Sequence, residues 1–208
     1  LSDVLLGKLS PAGRLPVSFP QKSGQQPYFY NHKSTGRPQL PGESAFYKTR
    51  FIEVSNEPLF PFGFGIGYSA VSYESTTVDR PRIGWDGTIT ASALIRNEGD
   101  KVVEEVAQLY IRDIAASVTR PVRELKGFLR VKLQPGEARK VEFQITRREL
   151  EFVGSDLKWQ AEPGDFLAWI APSARDGAPS RFTLERAFDD FAAGGADRDL
   201  NKRLMGIA

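Results

Sequence analysis

Between residues 70 and 185, apolar side chains recur at every second position in short runs. That is the period of a strand with one buried face. Ile89, Ala91, Ala93 and Ile95 alternate with Thr88, Thr90, Ser92 and Leu94. Ala107, Leu109 and Ile111 alternate with Gln108, Tyr110 and Arg112. Leu125, Leu129, Val131 and Leu133 share a parity, as do Val141, Phe143 and Ile145. Asn97-Glu98-Gly99-Asp100 and Gln134-Pro135-Gly136-Glu137 supply turns between these runs. Leu157–Gln160 and Asp165–Ala171 flank Ala161-Glu162-Pro163-Gly164 and read as a hairpin, and Phe182 and Leu184 close the set. Phe166–Ala171 is apolar at both parities, which predicts burial on both sides. About seven short strands over roughly a hundred residues, each with one apolar face, predict a two-sheet β-sandwich.

Residues 1–68 follow no such period. Gly13–Pro20 reads as one short strand, and Gln21–Glu57 as a long ordered loop punctuated by Pro27, Pro38 and Pro41. This part lacks the apolar periodicity to form its own core and reads as the end of another domain. It finishes on Leu59-Phe-Pro-Phe-Gly-Phe-Gly-Ile-Gly-Tyr-Ser69. Glycine at every second position argues against a helix, where each costs about 1 kcal/mol. It suits extended backbone lying very close to another surface. If the chain is a piece of a longer protein, Pro61–Gly67 should be exposed where a partner domain is lacking. The tail, 186–208, reads as a short helix capped by Asp197 with Leu200, Leu204 and Met205 on one face, hinged at Gly194-Gly195.

Composition narrows the classes. The chain has 208 residues, 40% of them hydrophobic and 26% charged, with a net charge of +2. The signs are interspersed, which argues against a nucleic-acid footprint. No apolar run is long enough for a membrane helix. The absence of Cys excludes disulfides and thiolate metal sites. Leu1 is not a start residue and no leader follows it, so the sequence reads as the interior of a longer protein.

Candidate chemistry is sparse. The single imidazole, His32, lies in Tyr30-Asn31-His32-Lys33-Ser34-Thr35-Gly36-Arg37-Pro38. Tyr30, Asn31, His32 and Arg37 can be read as a substrate-contacting rim, with Tyr30 stacking on a ring face. The competing reading is a loop pinned to its own domain by the same groups. Trp159 and Trp169 are candidates for a sugar-stacking platform, against a role in core or domain contact. Glycosidic hydrolysis needs two facing carboxylates. Adjacent Glu104 and Glu105 point to opposite faces of a strand, and Glu149, Glu151, Asp189 and Asp190 lack pocket-forming neighbours, so all read as solvated. No nucleophile elbow, dinucleotide loop or metal cluster is legible, so no cofactor or metal is expected. Thr119–Phe128, with its paired charges and apolar anchors, reads as a salt-bridged contact between sheets or domains.

The ordered motifs resemble glycoside hydrolase family 3. Leu5–Pro20 is similar to the end of that family's second domain, and Tyr30–Pro38 to a loop of its bacterial β-glucosidase branch. Pro61–Ser69 resembles the junction into its fibronectin type III-like domain. Arg120-Pro121, Glu124–Phe128, Leu133–Glu137 and Glu162–Gly164 resemble that domain. The resemblance covers about residues 3 to 185 and implies three segments. Residues 1–68 are the C-terminal remnant of an α/β sandwich domain, 69–185 are an immunoglobulin/fibronectin III-like β-sandwich, and 186–208 depart from the pattern. It further implies a retaining exo-glycosidase whose nucleophilic Asp and acid/base Glu belong to an upstream barrel and α/β domain, leaving no catalytic residue in this chain. The partners implied are that upstream portion and, through it, a β-glucoside or oligosaccharide. A periplasmic or secreted location is favoured over the cytoplasm. The alternative reading is an independent carbohydrate-binding or adhesion module.

Overall fold

In a computed structural model, residues 1–39, 43–44 and 46–186 are described. The tail helix expected around Asp197 lies outside them, as do Asp189 and Asp190.

The alternating runs form two packed antiparallel sheets. In the first, β4 (Ile89–Asn97) is central, with β7 (Ala138–Ile145) on one edge. The other edge is shared by β1 (Val71–Tyr73) and β2 (Thr77–Val78). The second sheet has the order β3-β11-β10-β5-β6. Its strands are β3 (Arg82–Ile83), β11 (Ser180–Leu184), β10 (Gly164–Ala171), β5 (Val103–Asp113) and β6 (Glu124–Leu133). Only β3 and β11 run parallel. A short helix, Arg147–Leu150, and a hairpin of β8 (Phe152–Val153) and β9 (Trp159–Gln160) follow β7.

The core between the sheets is the period-two set. Ile89, Ala91, Ala93 and Ile95 face Ala107, Leu109, Ile111, Ala168 and Ile170 in one buried cluster. Phe166 and Phe182 stack within it, their ring centroids 5.5 Å apart. Burial of this kind contributes roughly 25 cal/mol per Å² of apolar surface. Asn97 ties two turns together: its Nδ2 donates to the Lys101, Leu133 and Gln134 carbonyls at 2.7, 3.3 and 3.1 Å.

Three local expectations change. The parity of β6 breaks at a bulge: Leu109 pairs with Gly127 but Tyr110 pairs with Leu125. The extra residue moves Leu125 off the core face that Val131 and Leu133 occupy. The hairpin forms earlier than expected, because β9 pairs with β8 and β10 pairs with β5 and β11. The Glu162 carboxylate accepts from the Ser117 amide at 2.8 Å, tying the intervening turn to the β5–β6 connection. Gly13–Pro20 is extended but not a regular strand. It reaches Leu59–Phe64 through the bonds Phe19 N to Phe60 O at 2.8 Å and Leu15 N to Phe64 O at 2.9 Å.

Candidate functional site

Side chains with unusual environments gather where residues 1–68 lie on the outer face of the five-stranded sheet. That face is apolar enough to need a cover: Gln108, Tyr110, Trp169 and Ala171 are all buried although they point away from the core. Gln108 Nε2 donates to the Gly63 carbonyl at 3.2 Å and to the Pro172 carbonyl at 2.6 Å, and its Oε1 accepts from Tyr110 Oη at 2.6 Å. Gly63 has φ +81°, and a Cβ there would overlap the Gln108 carboxamide. A side chain at Gly65 would meet Gly13 and Arg14, and one at Gly67 would press on Ser10 at 3.1 Å. Each glycine of the run therefore answers a close approach. The expected exposure of this run is met only at Ile66, which is 70% exposed: Pro61 and Gly63 are buried, and Phe62, Phe64, Gly65 and Gly67 are half-buried.

Tyr30 belongs to the same contact. Its ring stacks on Phe62 at 4.1 Å and meets Tyr110 edge-on at 6.2 Å, and its hydroxyl accepts from the Leu125 amide at 3.2 Å. Burial raises the Tyr30 phenol above its ordinary pKa, and burial likewise raises that of Tyr110. Arg123 lies 4.2 Å over the Trp169 ring and donates to the Ala174 and Asp176 carbonyls at 2.6 and 2.9 Å. Burial lowers its pKa to about 10, so it stays cationic at neutral pH.

The rim candidates separate accordingly. Tyr30 is committed to packing, whereas Asn31, His32 and Arg37 are exposed. The loop is nonetheless fixed by its backbone: Val122 N donates to the His32 carbonyl at 2.9 Å, Lys33 bridges to Pro121, and Thr49 N donates to the Arg37 carbonyl at 2.7 Å. His32 edges a cleft of about 640 Å³ walled by Tyr28, Phe29, Phe51, Arg112 and Val122. A neighbouring cleft of about 460 Å³ runs past Tyr30 toward Arg123 and Arg175. Tyr28 closes the wall between them. Burial, then the charge of Glu57, pushes its phenol up to about 12, and its hydroxyl donates to the Asn56 carbonyl at 2.6 Å.

The two tryptophans do not form one platform. Trp159 on β9 is 72% exposed, while Trp169 on β10 is 6% exposed beneath Arg123.

One carboxylate departs from the solvated reading. Glu104 is at the surface with Arg130, but Glu105 is 4% exposed. It pairs with Arg14 and accepts from Tyr73 Oη at 3.0 Å. The cause is the partner that residues 1–68 bring to it, which spacing along β5 could not reveal. Burial, reinforced by Glu105, raises the Tyr73 phenol far above its usual range. Among the described residues no three His, Asp or Glu side chains are grouped so that they could hold a metal ion.

Residues 1–68 match the glycosyl hydrolase family 3 C-terminal domain, and 105–174 match the fibronectin type III-like domain. The chain is C-terminal sequence of a glycoside hydrolase family 3 protein. It is 41% identical over 170 residues to a periplasmic beta-glucosidase of Salmonella typhimurium, covering 82% of this chain and 22% of that protein. It is 35% identical over 183 residues to a putative beta-xylosidase of Formosa agariphila, covering 88% of this chain and 23% of that protein. The beta-glucosidase of Listeria innocua solved with isofagomine superposes with a TM-score of 0.83 at 34% identity, over 90% of this chain and 26% of that one. The family 3 chain thus spans about a quarter of the length of such relatives.

Proposed function

We propose that the chain is the non-catalytic C-terminal part of a β-glucosidase-like hydrolase of terminal β-D-glycosyl residues. Residues 1–68 complete an upstream α/β domain, 69–185 buttress it, and Asn31, His32 and Arg37 are held toward the active-site rim. The observation that carries this reading is the two-sided character of 1–68. One side interlocks with β5 through Gly63–Gln108 and Tyr30–Tyr110. Away from that contact, Leu5, Leu9, Val17, Phe19 and Ile66 are left exposed. So many exposed apolar side chains in one segment fit a domain contact better than solvent. The upstream portion is the partner, and a β-glucoside or oligosaccharide is met through it. The Salmonella relative's name supports a periplasmic location.

The test is glycoside hydrolysis. The purified chain should release no sugar from an aryl β-glucoside, and the enzyme including the upstream portion should. Release by the chain alone refutes the reading. A second reading, an independent carbohydrate-binding module, draws on the exposed ring of Trp159. Retention of the chain on insoluble polysaccharide, lost in Trp159→Ala, would favour it over the scaffold.

A further inference from the structure

The connection from β5 to β6 holds a buried ion pair that protein atoms leave incomplete. Asp113 closes β5 and is 7% exposed. Its Oδ1 accepts from the Ala115 amide at 3.2 Å. Its Oδ2 lies 3.8 Å from Arg120 Nε, too far for a hydrogen bond. Arg120 is otherwise well placed: its Nη2 donates to Glu124 at 3.3 Å, and its guanidinium lies 4.3 Å over the Phe152 ring. No protein atom hydrogen-bonds Asp113 Oδ2 or Arg120 Nε, although both are shielded from solvent. A buried polar group left in that state costs about 1–3 kcal/mol.

Asp113 and Arg120 both line a cavity of about 10 Å³, whose polar lining is completed by Glu124, Lys126 and Glu149. A volume of that size admits about one water and no larger ligand. The chemistry selects the occupant. Carboxylate Oδ2 needs a donor and guanidinium Nε–H needs an acceptor, which one water satisfies together. The cations Arg120 and Lys126 oppose a metal ion, and the three carboxylates oppose an anion.

We propose that this cavity is a structural water site, in which one ordered water donates to Asp113 Oδ2 and accepts from Arg120 Nε. The bridge ties the end of β5 to the connection that continues into Pro121 and Val122. Those two residues pair with Lys33 and His32. The water therefore anchors, from inside the sandwich, the ladder that holds the His32 loop.

A crystal structure of the chain at a resolution that orders solvent should show one atom within hydrogen-bonding distance of both Asp113 Oδ2 and Arg120 Nε. A direct Nε–Oδ2 hydrogen bond with no solvent atom between them overturns the proposal. In solution, oxygen-17 relaxation dispersion should count one fewer long-lived water in Arg120→Met than in the wild-type chain. An equal count in a folded variant also overturns it. If Arg120→Met does not fold, the wild-type density decides alone.

Discussion

The sandwich and the segment that precedes it are built on opposite principles. Residues 69–185 bury a periodic apolar face between two sheets, so each core position is redundant with its neighbours in kind. Residues 1–68 have no such face. They hold to the sandwich through single, particular fits: Gly63 under Gln108, Tyr30 between Phe62 and Tyr110, Arg14 on Glu105. A repetitive core tolerates volume-conserving exchange. A junction of specific contacts does not, because a buried polar group that loses a partner is left unsatisfied away from water.

Four substitutions rank that contrast. Phe182→Ala removes a fully buried ring from the Phe166 stack and should lower stability by about 4 kcal/mol. Urea unfolding measures it, and a loss below about 1 kcal/mol would mean the sheets do not share one core. Arg14→Met leaves the Glu105 carboxylate buried without its cation and should cost about 3 kcal/mol. If the same denaturation shows no loss, 1–68 is an accessory arm and not part of one cooperative unit. Adding Glu105→Leu should recover most of that loss, which a double-mutant cycle would register. Gly63→Ala forces a side chain into left-handed backbone and against Gln108, for a cost of about 2 kcal/mol. Its loss should appear as faster proteolysis of the 21–57 loop while the sandwich core resists.

The next effect belongs to pH. Burial, opposed by Arg120, raises the Asp113 carboxyl to about 6 from its ordinary 3.8. The folded chain thus binds this proton more tightly than the unfolded chain does. Asp113 therefore opposes folding above about pH 6, and that penalty is relieved as pH falls through 6 toward 4. Lys126, Glu124, Glu149 and Glu162 also act on the site. Asp79, Glu137 and Asp165, held below their usual range by hydrogen bonds from Thr90, Gln134 and Thr183, act in the opposite sense. The difference between wild type and Asp113→Asn isolates the one group: wild type should gain about 2 kcal/mol on the variant between pH 7 and pH 4. A flat difference would refute the buried, charged Asp113. Smallest of all, His32→Ala should shift stability by less than about 0.5 kcal/mol, since the ring is exposed and the loop is held by its carbonyl.

How far the sequence carried the structure depends on the range of the cause. The alternation in β4 and β7 survives intact because burial of one sheet face is a period-two property of the chain itself. The same alternation fails in β6, where the Lys126–Gly127 bulge reverses parity without a periodic signal to announce it. The three glycines of the junction announced a close approach, and all three have one. What they approach was not legible, because Gln108, Arg14 and Ser10 lie far from them along the chain. Tyr30 shows the same limit at the candidate site. Its aromatic ring was evident as a stacking group, but the stacking partner is Phe62 of the same chain.

The sequence by itself determined the sandwich, its turns and the existence of a tight junction, since strand period, turn chemistry and glycine spacing act over a few residues. Only the tertiary structure decided which charges are buried and what covers each ring. Glu105 reads as a solvated carboxylate along its strand, Asp113 carries no signal, and the apolar run Phe166–Ala171 predicts burial of Trp169 without naming its cover. Their state is set by Arg14, Arg120 and Arg123, which chain folding delivers from elsewhere, and desolvation depends on that delivery and not on local pattern.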